Sequence, residues 1–226
     1  MEKETLMRLR VALLLAAAAV VATVVGVSLA LRTTSDDAQA ATGTVAGEAA
    51  GSGWQMAGNG SGRQGATDDA HAPVTGEYEL SAADAAAIAY MREEEKLARD
   101  VYVAMYDAWG LRAFQNISAS ESRHMEAVEE LIDAYGLTDP AADTAPGEFQ
   151  NSELQDLYDE LVADGSASLE AALKVGVLVE QTDIADLEKA LEATDNPEVT
   201  AVLGNLLDAS QRHLSTFERQ LSRHAG

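Results

Sequence analysis

Four ionisable levels interrupt what are otherwise apolar helical stripes, and this feature constrains the fold of the chain more than any other. One stripe runs Ile88, Met91, Glu95, Ala98, Tyr102, Met105; the next Phe114, Ile117, Glu121, His124, Val128, Leu131, Tyr135. A third reads Leu169, Leu173, Gly176, Glu180, Asp183, Leu187, Leu191, and a fourth Val199, Leu203, Leu206, Ser210, His213, Phe217. Each step is three or four residues, so each set occupies one face of a helix. The carboxylates and imidazoles therefore point inward with the core. Burying an unpaired carboxylate costs several kcal/mol, roughly, even after relaxation. A shared cation inside a helix bundle would offset that cost.

Sustained strand alternation is absent, and the four prolines stand at positions 73, 140, 146 and 197. The pattern predicts an all-α fold. Ser81 and Asp84 form a capping signal for a helix over 81–109, which Gly110 stops. Further helices are predicted over 112–135, 152–163, 169–193 and 197–223. The first two long helices form one hairpin and the last two another. The stretch 135–169, with its short helix, supplies the crossover that lets the hairpins pack as an up-down four-helix bundle. His124 follows Glu95 by 29 residues and His213 follows Glu180 by 33, the spacing of a duplicated helix pair.

Residues 77–226 make up the predicted folded domain, ample for one four-helix core. Residues 1–32 hold Lys3, Arg8 and Arg10 ahead of an uncharged, largely apolar run from Val11 to Leu31. This pattern fits a membrane anchor with its N-terminus inside, or a signal peptide cleaved after Ala38-Gln39-Ala40. Either places the remainder outside the cytoplasm, membrane-anchored or secreted. Residues 33–76, rich in Ala, Gly, Ser and Thr, read as a flexible, disordered linker.

The chain has no cysteine, which excludes disulfides, iron–sulfur clusters and thiolate catalysis. A net charge of −23 argues against nucleic acid as a partner.

Glu121-Ser122-Arg123-His124 is a Glu-x-x-His pair on one helical face, and a carboxylate and imidazole one turn apart can grip one ion. The segment Glu95-Lys96-Leu97-Ala98-Arg99-Asp100-Val101-Tyr102 is similar to the Glu-x-x-Ala-Arg-x-x-Tyr segment around the first ligand of rubrerythrins. More closely, residues 80–222 resemble the DUF2202 family of the ferritin-like superfamily. The matching pieces are Arg92 to Tyr102, Ser120 to Met125, Val179 to Leu187 and Ser210 to Leu214. The resemblance implies a ferritin-like bundle with Glu95 and Glu180 as carboxylate ligands, Glu121 and His124 as the paired ligands, and His213 as the second imidazole. Ser210 stands where a symmetric di-iron site would have Glu; Asp183, one turn after Glu180, is the candidate replacement. The donor mixture suits iron or manganese, with zinc also accommodated.

The expected function is a di-iron carboxylate protein of oxidase or peroxidase type, acting on ferrous iron or peroxide. With no cysteine pair to carry electrons, a peroxidase would need an external electron donor. The alternatives are a non-catalytic metal-binding or sensing module at the cell surface and a metal-free helical interaction domain. Within Glu93-Glu94-Glu95, an acidic run that ordinarily forms a solvated face, only helical phase singles out Glu95. Tyr102 reads as a core aromatic that could also donate a hydrogen bond near a metal.

Overall fold

A computed structural model of the protein describes residues 73–224. The expected anchor or signal segment and most of the linker lie outside the described residues. Five helices and no strand occur among the described residues: α1 (Ala82–Trp109), α2 (Arg112–Ala134), α3 (Ser152–Gly165), α4 (Leu169–Ala193) and α5 (Pro197–His224). The predicted helices are found, and their ends shift by no more than two residues. None of them is long and apolar enough to cross a membrane.

The ends follow from local chemistry. Ser81 accepts from the Asp84 backbone N–H while Asp84 reaches back to the Ser81 N–H, a complete capping box. Gly110, at φ 63°, closes α1 in the left-handed region that a side chain would strain. Asn151 and Ser168 cap α3 and α4 through their side-chain oxygens. The Asn196 side chain accepts from Glu198 and Val199 N–H at the start of α5. Glu198 in turn holds the chain N-terminal to α1: its carboxylate accepts from Thr75 N–H at 2.7 Å, Gly76 N–H at 3.1 Å and the Tyr135 hydroxyl at 2.7 Å.

The pairs α1–α2 and α4–α5 pack most extensively, α1 also packs on α4 and α2 on α5, so the four long helices close a ring. The short α3 lies against α1 and α4. Two apolar clusters fill the interior. One gathers Val101, Tyr102, Met105, Phe114, Leu173 and Phe217 with leucines of α3; the other gathers Ile88, Met91, Val128, Leu131, Leu187 and Leu203. In sequence, the ionisable residues fall between the members of these clusters on every long helix. The core is thus two greasy blocks with a polar layer between them.

The acidic run departs from expectation. Glu93, Glu94 and Glu95 are all buried, as are Arg92, Lys96 and Asp100. The reason is the crossover, which covers the α1 face that would otherwise meet solvent. Arg92 pairs with Asp139 and Glu129 and donates to the Met125 carbonyl. Lys96 bonds Asp100 and the carbonyls of Ala145 and Glu148, and lies 4.4 Å from the Phe149 ring centroid. Glu93 accepts from the Gln150 and Asn151 N–H groups. These side chains tie an irregular loop to α1.

Gly176 marks a close approach of α4 to α5. A Cβ built there would meet the Phe217 ring at 2.7 Å. Phe217 is fully buried among Tyr102 and Phe114, with centroids at 5.0 and 5.4 Å, and has little room to retreat. Gly176→Ala is expected to destabilise the domain by about 1–3 kcal/mol, as overpacking does. Equilibrium denaturation of the variant beside the parent would measure it.

Candidate metal centre

Each long helix delivers polar side chains to the middle layer. Glu95 comes from α1, Glu121 and His124 from α2, Glu180 and Asp183 from α4, Ser210 and His213 from α5. Glu95 and His124 are each 1 % exposed, Glu121 and Glu180 each 2 %, so water screens them little. His213 sits at the margin of the layer, with 12 % of its side chain exposed.

Two groups of donors converge there. Glu95, Glu121 and His124 form one, and Glu121, Glu180 and His213 the other, each with ligand atoms within 4.8 Å of one another. Glu121 belongs to both. Its Oε2 lies 2.6 Å from His124 Nδ1 and its Oε1 lies 2.9 Å from His213 Nδ1. Glu95 Oε2 approaches His124 Nδ1 at 3.2 Å, and Glu180 Oε2 lies 3.7 Å from His213 Nδ1. The two imidazoles stack with centroids 5.6 Å apart and an interplanar angle of 22°. The halves of the chain thus contribute corresponding residues around one shared carboxylate, in keeping with the paired sequence spacing.

Five of the six expected ligands fall in these groups. Asp183 is buried at the same level, 5 % exposed, but its carboxylate stands outside both groups. Ser210, wholly buried, donates its hydroxyl to the Leu206 carbonyl. Tyr102 is more than core filler: its hydroxyl donates to Glu180 Oε1 at 2.6 Å. The spacing Glu95-x6-Tyr102, two turns along one face, is the sequence signal for that contact.

Burial and neighbouring charges shift the groups of the layer in opposite directions. Burial pushes Glu95 up from 4.5 to about 7, against the pull of His124. Burial and the Glu121 charge raise Glu180 to about 7, with His213 and the Tyr102 hydrogen bond opposing. Burial would raise Glu121 as well, but the two imidazoles outweigh it and hold the carboxyl well below its usual range. Burial disfavours charged His213, yet Glu121 and Glu180 carry it up to about 10; His124 is raised by Glu121 and Glu95 in the same way. The carboxylates thus favour protonated imidazoles, and burial favours protonated outer carboxyls.

The residues fit a metal ion. Glu95 Oε1 and Asp183 Oδ1 are buried and accept no hydrogen bond, and Glu121 Oε1 and His213 Nδ1, though close, are not aligned for one. Carboxylate oxygens with imidazole nitrogens are the donor set of iron, manganese and zinc sites.

A pH signature follows. Glu95, Glu180 and both histidines have folded-state values above their unfolded ones, so the metal-free fold binds these protons more tightly than the unfolded chain. Their contribution is fully present at low pH and is lost as pH rises through about 7 for the two carboxyls. Glu121 runs the other way, but its window lies below the usual carboxylate range. The thermal midpoint of the chelator-treated protein should therefore fall as pH rises from about 5 to about 8. A metal that replaces the protons should flatten that slope and release protons on binding. Thermal scans across pH, with and without metal, check both.

Comparison with known proteins identifies the lineage. Residues 84–226 match the family described as an uncharacterized protein domain, DUF2202. The uncharacterized protein MJ0754 of Methanocaldococcus jannaschii is 46 % identical over 134 residues, covering 59 % of this chain and 72 % of its own. A crystal structure of hypothetical protein MJ0754 superposes with a TM-score of 0.65 at 41 % identity, covering 66 % of this chain and 86 % of that one. The chain, whose buried Glu/His layer falls wholly within the matched residues, belongs to the DUF2202 family.

Proposed function

We propose that the domain is a ferritin-like metal protein that holds two ions in the middle layer and performs oxidase- or peroxidase-type chemistry on ferrous iron or peroxide. The observation that carries this reading is the position of Glu121, whose two oxygens face two different imidazoles. A carboxylate placed this way is suited to bridging two ions. Glu95 and His124 would complete one site, Glu180 and His213 the other. When bound, a pair of redox-active ions supplies one-electron steps that no side chain here provides.

The chain's own residues would do the rest. The Tyr102 hydroxyl fixes Glu180 Oε1 and so leaves Oε2 turned toward His213. Tyr102, Phe114 and Phe217 pack beside the layer and exclude water from that side. Glu95 Oε1 is enclosed and accepts no hydrogen bond, which leaves that oxygen available to an ion. The extracytoplasmic, membrane-tethered or secreted location remains part of the proposal, carried by the basic and apolar N-terminal sequence. Peroxide turnover in which ferrous iron is not the reductant would draw on a separate electron donor, since the chain has no cysteine pair to carry electrons.

The test is metal analysis followed by stopped-flow mixing of the iron(II)-loaded protein with oxygen or peroxide. About two ions per chain are expected, with oxidation faster than that of free iron. Glu121→Ala, which removes the shared carboxylate, should weaken loading by at least about 100-fold, beyond the loss typical of an outer partner. Stoichiometric binding without faster oxidation would instead identify a metal-binding or sensing module.

A further inference from the structure

The two halves of the polar layer are not equally equipped. His124 has a carboxylate on its own helix: Glu121 stands one turn before it on α2, 2.6 Å from its Nδ1, and Glu95 Oε2 approaches at 3.2 Å. His213 has no such companion. One turn before it on α5 stands Ser210, whose hydroxyl donates to the Leu206 carbonyl. Both carboxylates that face His213 come from other helices and stand farther off, Glu121 Oε1 at 2.9 Å and Glu180 Oε2 at 3.7 Å.

The outer carboxylates differ as well. Glu180 Oε1 already accepts from the Tyr102 hydroxyl at 2.6 Å, whereas Glu95 Oε1 accepts no hydrogen bond. The His213 half therefore has one oxygen of Glu180 to offer an ion, and the His124 half has both oxygens of Glu95. Solvent reaches the halves differently too. The side chains of Glu95, Glu121 and His124 are each exposed by 3 % or less, but that of His213 by 12 %. An ion leaves a buried site by trading protein ligands for water, so the enclosure of the ligands governs the traffic. His213 is the ligand that water reaches first.

We propose that the half built from Glu121, Glu180 and His213 is the exchanging half of the centre, where a ferrous ion enters from solution through His213, and that the half built from Glu95, Glu121 and His124 keeps a resident ion. The ion of the His213 half is then the substrate ion and the other a fixture. Tyr102 is a positioning residue: by holding one oxygen of Glu180, it keeps that half loose enough to exchange. This deepens the two-ion reading above and rests on it, but it requires no oxidation to take place.

Isotope exchange without oxygen tests it. The full-length protein is loaded with isotopically enriched iron(II) and challenged with an excess of natural-abundance iron(II), and the enriched iron retained is counted against time. Two phases of equal amplitude are expected, the faster by at least about tenfold, the low end of what the surroundings of a ligand do to metal affinity. His213→Ala should remove the fast-exchanging ion and leave the slow one. Tyr102→Phe, which keeps the ring and removes the hydrogen bond to Glu180, should slow the fast phase and leave the slow phase unchanged. Two ions leaving at one rate overturn the proposal, as does either substitution acting on the slow phase while the fast one persists. Where His213→Ala does not fold, the wild-type phases and Tyr102→Phe still decide. A chain that binds fewer than two ions defeats the two-ion reading and this proposal with it; two ions with a single rate leave that reading standing and defeat this proposal alone.

Discussion

Negative charge with no water around it is the condition to which the rest of this domain answers. Glu95, Glu121, Glu180 and Asp183 share one layer between two apolar blocks. At the separations seen here, like charges in a medium less polar than water repel by several kcal/mol, roughly. The layer persists because positive charge is built into it through two imidazoles. Burial pushes the carboxyls that the imidazoles reach least well, Glu95 and Glu180, upward. Such a layer is costly as architecture, since apolar residues of similar volume would pack there at lower cost. Its presence on all four long helices is what supports the proposal of a positively charged ligand.

The first helix does more than supply one ligand. From Met91 to Ala98 no residue of α1 reaches solvent to any extent, although five of the eight are charged. Each charge has its own destination: Arg92 and Glu93 bind the crossover, Lys96 anchors its carbonyls, Glu94 borders the cleft under α3, and Glu95 enters the polar layer. A loop with little core of its own is thereby fastened to the turn that carries Glu95. Order in the crossover and the position of Glu95 consequently rest on the same turn of helix.

Much of this was legible in the sequence because helical phase is geometric. Interrupted stripes at three- and four-residue spacing located Glu95, Glu121, His124, Glu180 and His213 and ordered them by depth, and capping chemistry located the helix ends. Burial of Glu93 and Glu94 was not legible in that way. Phase describes the face a helix turns to one neighbour, whereas these residues are covered by a crossover whose path depends on Pro140, Pro146, Gly147 and contacts made only in the folded state. Asp183 shows a related limit. Its phase is right and it is buried at the right level, but its carboxylate stands outside both donor groups. Side-chain partners, unlike helical faces, are chosen in three dimensions.

The dual allegiance of Glu121 has a thermodynamic corollary. A positive charge drawn to its Oε2 depletes the electron density available at Oε1, so the two halves of the layer are not independent receptors. Whatever occupies one half sets the appetite of the other, and by reciprocity the influence is equal in both directions. Filling should therefore depart from simple independent saturation, through a single carboxylate and without any helix having to move.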